Sequence, residues 1–113
     1  RGLGDVYKRQ EDARVFVSHA ASSVYALDFS TGKTYWRQGD LRQRRITAPL
    51  PMGNVIAIGD VEGYVHLLNR EDGVFVGRLQ IEEAPIMPQM VALGTSTIIA
   101  QTRKGGIYAI SLK

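Results

Sequence analysis

Short apolar runs, four to seven residues long, recur along the chain between polar or glycine-bearing turns. Ser23–Thr34 reads SVYALDFSTGKT and Tyr64–Phe75 reads YVHLLNREDGVF, each an apolar run followed by a polar turn that closes on glycine. Gly32 and Gly73 stand 41 residues apart, and a third copy, GIYAISL at Gly106–Leu112, aligns Ile107 with Val65 and Val24 at spacings of 42 and 41. A second apolar run precedes each copy: VFV at Val15–Val17, VIAI at Val55–Ile58 and TII at Thr97–Ile99. Between the paired runs lie Ala20–Ser22, Asp60–Gly63 and Arg103–Gly105, which are small, polar or glycine-bearing, the composition that reverses a chain between antiparallel strands.

Third strands are predicted at Lys33–Gln38 and Val74–Gln80. Only the middle repeat has four, beginning at Ile46–Met52, where Pro49 and Pro51 cannot donate ladder hydrogen bonds and so mark an edge strand. The last repeat is predicted to run through Met87–Ala92, Ser96–Thr102 and Gly106–Leu112. Helical repeats of similar period need longer segments with a 3.6-residue rhythm, which these Val-, Ile- and Tyr-rich runs lack. A run such as VYALDF is apolar on both alternating faces, so neighbours must cover both.

Short antiparallel strands repeating every 41 or 42 residues match the blade of a β-propeller. The fold expected is all-β: a propeller fragment of about two and a half four-stranded antiparallel blades. Residues 14–41 form a partial blade, 46–81 a complete one, and 84–113 a last blade without its outer strand. That gap is expected to be closed by a strand from the start of a longer chain, since closure removes an exposed edge. Residues 1–13 are expected to be a non-native or disordered tail. RGLGDVYKRQ at Arg1–Gln10 lacks the alternation of a strand and resembles a translated sequencing adapter.

Composition narrows the function. Lysine and arginine number 14 against 11 acids, a net charge of +3 too small and dispersed to indicate nucleic acid. The absence of cysteine excludes thiol catalysis, disulfides and cysteine-bound zinc. No apolar stretch approaches the roughly 20 residues of a membrane helix.

Individual residues point mainly to architecture. Trp36 is expected to wedge between blades, Gly32, Gly63 and Gly73 to form the turns, and Asp28 and Asp60 to cap them. His19 and His66, 47 residues apart, have no metal-ligand spacing and are expected at the polar surface or in turn packing. Ser18 beside His19 does not make a nucleophile pair, because neighbours on a strand face opposite ways. Arg42, Arg44 and Arg45 in LRQRR concentrate positive charge in one connection and are the candidate interaction residues for an acidic partner patch or phosphate groups.

YALDFSTGKTYW at Tyr25–Trp36 is similar to the quinoprotein alcohol dehydrogenase repeat. TAPLPMGNVIAIGDVEGYVHLLNREDGVFV at Thr47–Val76, and within it GDVEGYVH at Gly59–His66 and EDG at Glu71–Gly73, resembles the last blades of the BamB family of outer-membrane assembly lipoproteins. The resemblance runs from Arg14 to Lys113. It implies an eight-bladed, non-enzymatic scaffold without cofactor or metal, at the periplasmic face of the outer membrane, held there by a lipidated cysteine. Its implied partners are the periplasmic repeat domains of BamA and nascent outer-membrane proteins, with no nucleic acid. This sequence has no cysteine, so the anchor would lie outside it. The family's BamA-contacting loops belong mostly to earlier blades, and no contact residue is carried over. Two alternatives stand beside this reading: a quinone-dependent periplasmic dehydrogenase and a quinoprotein-repeat sensor domain.

Overall fold

The computed structural model describes residues 14–19, 22–41 and 45–112. The expected tail at 1–13, and Arg42 and Arg44, lie outside the described residues. Ten strands follow in order: β1 (Arg14–His19), β2 (Ser23–Asp28), β3 (Thr34–Gln38), β4 (Leu50–Met52), β5 (Val55–Gly59), β6 (Tyr64–Asn69), β7 (Phe75–Gln80), β8 (Val91–Leu93), β9 (Thr97–Gln101) and β10 (Ile107–Ser111). Among the described residues there is no helix, hence none long and apolar enough to cross a membrane.

The strands make three separate antiparallel sheets, ordered β1-β2-β3, β4-β5-β6-β7 and β10-β9-β8. Each sheet is a meander, so neighbours in sequence are neighbours in space. The repeat extends to its irregularities. The register of β2 with β3 shifts between Ala26 and Leu27, and that of β6 with β7 shifts between Leu67 and Leu68, 41 residues later. The architecture is a propeller fragment, all-β and antiparallel.

Two expected strands are shorter than the apolar pattern suggested. β4 begins at Leu50 rather than Ile46, and β8 at Val91 rather than Met87. Prolines 49 and 88 remove the amides that would continue each ladder. The segments before them are tied down individually: Thr47 N–H donates to the Gly59 carbonyl at 2.8 Å, and Met87 N–H to that of Gln101 at 2.7 Å.

The core lies between sheets. Ile56, Ile58 and Leu68 of the middle sheet pack with Val24, Ala26 and Trp36 of the first. Ala57 and Val65, on the opposite face, pack with Ile98 and Ala100 of the third. Burying both faces of one sheet requires a neighbour on each side, the arrangement of stacked blades. The far face of the third sheet is uncovered, with Ile107 71% exposed.

Candidate interaction surface

The hairpin turn between β5 and β6 is organised by one buried carboxylate. Asp60 Oδ1 accepts the N–H groups of Glu62 at 2.8 Å and Tyr64 at 3.0 Å, and Oδ2 lies 2.7 Å from His66 Nε2. Both side chains are buried. His66 therefore belongs to the interior, packed near the Phe75 ring with centroids 6.0 Å apart, so of its two expected places, the polar surface or turn packing, it takes the second. The remaining ring nitrogen, Nδ1, has no hydrogen-bond partner. The Ser18 hydroxyl donates to the Thr47 carbonyl at 2.8 Å. His19 is exposed, its ring edge-on to Tyr25.

Asp28 caps a different turn, the one between β2 and β3 in the first sheet, whose counterpart in the second sheet is capped by Asn69. Its carboxyl accepts the Tyr35 hydroxyl at 2.7 Å and the N–H groups of Ser30 and Thr31 at 2.8 and 3.0 Å. The Tyr35 bond first, then the two amides, holds Asp28 below its ordinary pKa. The same bond pushes the Tyr35 phenol up.

Trp36 crosses from the first sheet to the second. It is 8% exposed, its indole N–H donates to the Arg70 carbonyl at 2.8 Å, and its ring covers Gly73. A Cβ at Gly73 would stand 2.4 Å from the indole, and the backbone there has φ +76°. Gly32, at the matching turn, has φ +75° but nothing within 4 Å. Gly63 serves a different approach, since a Cβ there would fall 1.6 Å from the Glu82 carbonyl oxygen. Glu82 then reaches the third sheet, where its Oε1 accepts the hydroxyls of Thr102 at 2.7 Å and Tyr108 at 2.9 Å. Those two bonds, Thr102 foremost, hold the Glu82 carboxyl below its usual range.

Arg45 is exposed in a left-handed conformation, φ 52°, where the chain enters the middle sheet. It lines a cleft of about 500 Å³ together with Ile46, Thr47, Ala48, Val61 and Pro85 to Pro88. Arg103, in the β9–β10 turn, completes the lining. The fold thus brings together two arginines that are far apart in sequence.

No family model matches the chain. It is 36% identical over 99 residues to the outer membrane protein assembly factor BamB of Burkholderia pseudomallei, covering 88% of this chain and 26% of that protein. With the BamB of Escherichia coli it shares 33% over 112 residues, covering 98% of this chain and 28% of that one. The crystal structure of BamB from Moraxella catarrhalis superposes with a TM-score of 0.78 at 28% identity, over 87% of this chain and 28% of that one. The chain is a BamB-like propeller fragment. A computationally designed protein, Ika4, superposes with a TM-score of 0.76 at 14% identity, a likeness of fold alone.

The BamB-like chain spans about a quarter of the length of the curated relatives it matches. Those relatives are named as assembly factors of the outer membrane. Of the candidate residues read from the BamB-like sequence, Trp36 and Gly73 meet in one contact, Asp60 and Gly63 share one turn, and Asp28 and Gly32 share another. Arg45 stands apart from all of these, in the cleft. Three participants had gone unmarked: His66 as the partner of Asp60, Glu82 as the link to the third sheet, and Arg103. The first was legible in principle, because residues 60 and 66 flank a tight turn on antiparallel strands.

Proposed function

We propose that this chain is part of a scaffold that assists the assembly of outer-membrane β-barrel proteins through protein–protein contacts, without catalysing a reaction. The observation that carries the reading is 36% identity to a BamB assembly factor over 88% of the chain, joined to the superposition on a BamB structure. The architecture supports it. Its three sheets stack as successive blades, joined by the Trp36 bond to Arg70 and the Glu82 bonds to Thr102 and Tyr108.

On this reading the intact protein works at the periplasmic face of the outer membrane, anchored by a lipid outside this chain. It binds the periplasmic repeat domains of BamA and nascent outer-membrane proteins, and Arg42, Arg44 and Arg45 contribute a basic connection. The test is complementation: the intact parent, expressed in cells lacking their own BamB, restores outer-membrane porin levels. Failure to restore them, together with a shifted absorption spectrum when quinone and calcium are added to the parent, would favour the dehydrogenase reading instead.

A further inference from the structure

We propose that the cleft between Arg45 and Arg103 docks an extended segment of a partner protein that alternates acidic and apolar residues. The inference rests on the scaffold reading and gives it a surface and a partner chemistry. The cleft of about 500 Å³ lies between the second and third sheets, both present in this chain. Most of its lining is apolar: Ile46, Ala48, Val61 and the run from Pro85 to Pro88. Exposed methionine such as Met87 adapts to varied apolar side chains.

Charge complementarity sets the other half of the recognition. Arg45 and Arg103 are both exposed, and neither pairs with an acid among the described residues. Two like charges on the rim of one apolar cleft leave a site for carboxylates, which the guanidinium fork binds bidentately. Arg45 keeps φ 52°, a conformation that glycine adopts without strain. A second hollow shares Val61 and Pro85 with the cleft and is lined in part by Glu62 and Glu83, so the acidic stretch of the partner belongs on the arginine side.

Free phosphate and nucleic acid fit less well. Anion cradles need backbone N–H groups pointing at the ligand. Here four of those groups are engaged: Thr47 N–H with Gly59, Ile86 with Asp60, Met87 with Gln101 and Arg103 with Pro85, each through a carbonyl. Pro85 and Pro88 have none to give.

The test uses the intact parent and a short, dye-labelled, capped peptide of alternating aspartate and leucine, followed by fluorescence anisotropy at low and high salt. The peptide should bind at low salt, weaken as salt rises, and outcompete its lysine–leucine counterpart. Arg45→Gly and Arg103→Ala should each weaken binding roughly fivefold, while Arg78→Ala leaves it unchanged. Because Arg45→Gly relieves the backbone, its Tm should hold or rise, which separates lost recognition from lost folding. Wild-type affinity in the double variant, no binding by the wild type, or equal binding of the lysine peptide would each overturn the proposal. Porin restoration by the wild-type parent alongside any of these results would place the failure in the cleft rather than in the scaffold reading.

Discussion

Between the first and second sheets, β3 sends Trp36 across the gap to cover Gly73 and reach the Arg70 carbonyl. Between the second and third sheets the corresponding strand is β7, and the residue 41 positions after Trp36 is Gly77. Where the first interface holds an indole, the second holds a hollow of about 240 Å³ lined by Val65, Leu67, Arg78, Leu79 and residues 110–112. One repeat backbone thus supports two solutions. The first concentrates its cohesion in one aromatic side chain. The second distributes it over smaller apolar contacts, the Gly63 approach and the Glu82 hydroxyl pair.

The contrast predicts unequal responses to mutation. Trp36→Ala in the intact parent should cost about 3–5 kcal/mol in denaturant unfolding, as for a large aromatic removed from a core. A loss under about 1 kcal/mol would erase the distinction between the interfaces. Gly73→Ala should cost about 2–3 kcal/mol, because it combines left-handed strain with a collision against the indole. Gly32→Ala, with the same φ and empty space beyond, should cost about 1 kcal/mol. The difference between the two glycines measures the tryptophan contact; equal costs would show that only backbone strain matters.

At the second interface the expected effects are smaller. Gly77 has ordinary backbone angles, and a Cβ there would meet Leu67 Cδ1 at 3.4 Å, so Gly77→Ala should stabilise the parent by about 0.5 kcal/mol in the same unfolding assay. A loss of stability would mean that the Leu67 side chain cannot yield to a methyl group. Glu82 supplies a pH test. Its folded pKa lies below the ordinary 4.5, so its contribution is present above that value and disappears as pH falls through the lower folded one. Glu82→Gln should flatten the fall in Tm between neutral pH and about pH 3. Asp28→Asn, in the first sheet, should also flatten it, since that carboxyl is held low by Tyr35 and two amides. An unchanged acid profile in both variants would remove the two carboxyls from the account.

Much of this architecture was legible because it repeats. The 41-residue spacing of Gly32 and Gly73 places equivalent turns, and both have the left-handed backbone that their glycines permit. Strand entry was less legible. Ile46, Ala48, Ile86 and Met87 are apolar for burial and cleft lining, not for pairing in a continuous strand, and hydrophobicity does not distinguish these uses. The candidate site was legible in part. Arg45 stands out in a run of like charges, whereas Arg103 joins it only through the stacking of two sheets. His66 was hidden by its neighbours, since an imidazole in a β strand reads as polar until a carboxylate across the turn accounts for its burial.

The most direct test is a crystal structure of the intact parent protein. The account predicts three successive antiparallel sheets around a common axis, with the Trp36 indole N–H on the Arg70 carbonyl near 2.8 Å. Three repeats joined edge to edge in one continuous sheet, with Trp36 facing solvent, would contradict it.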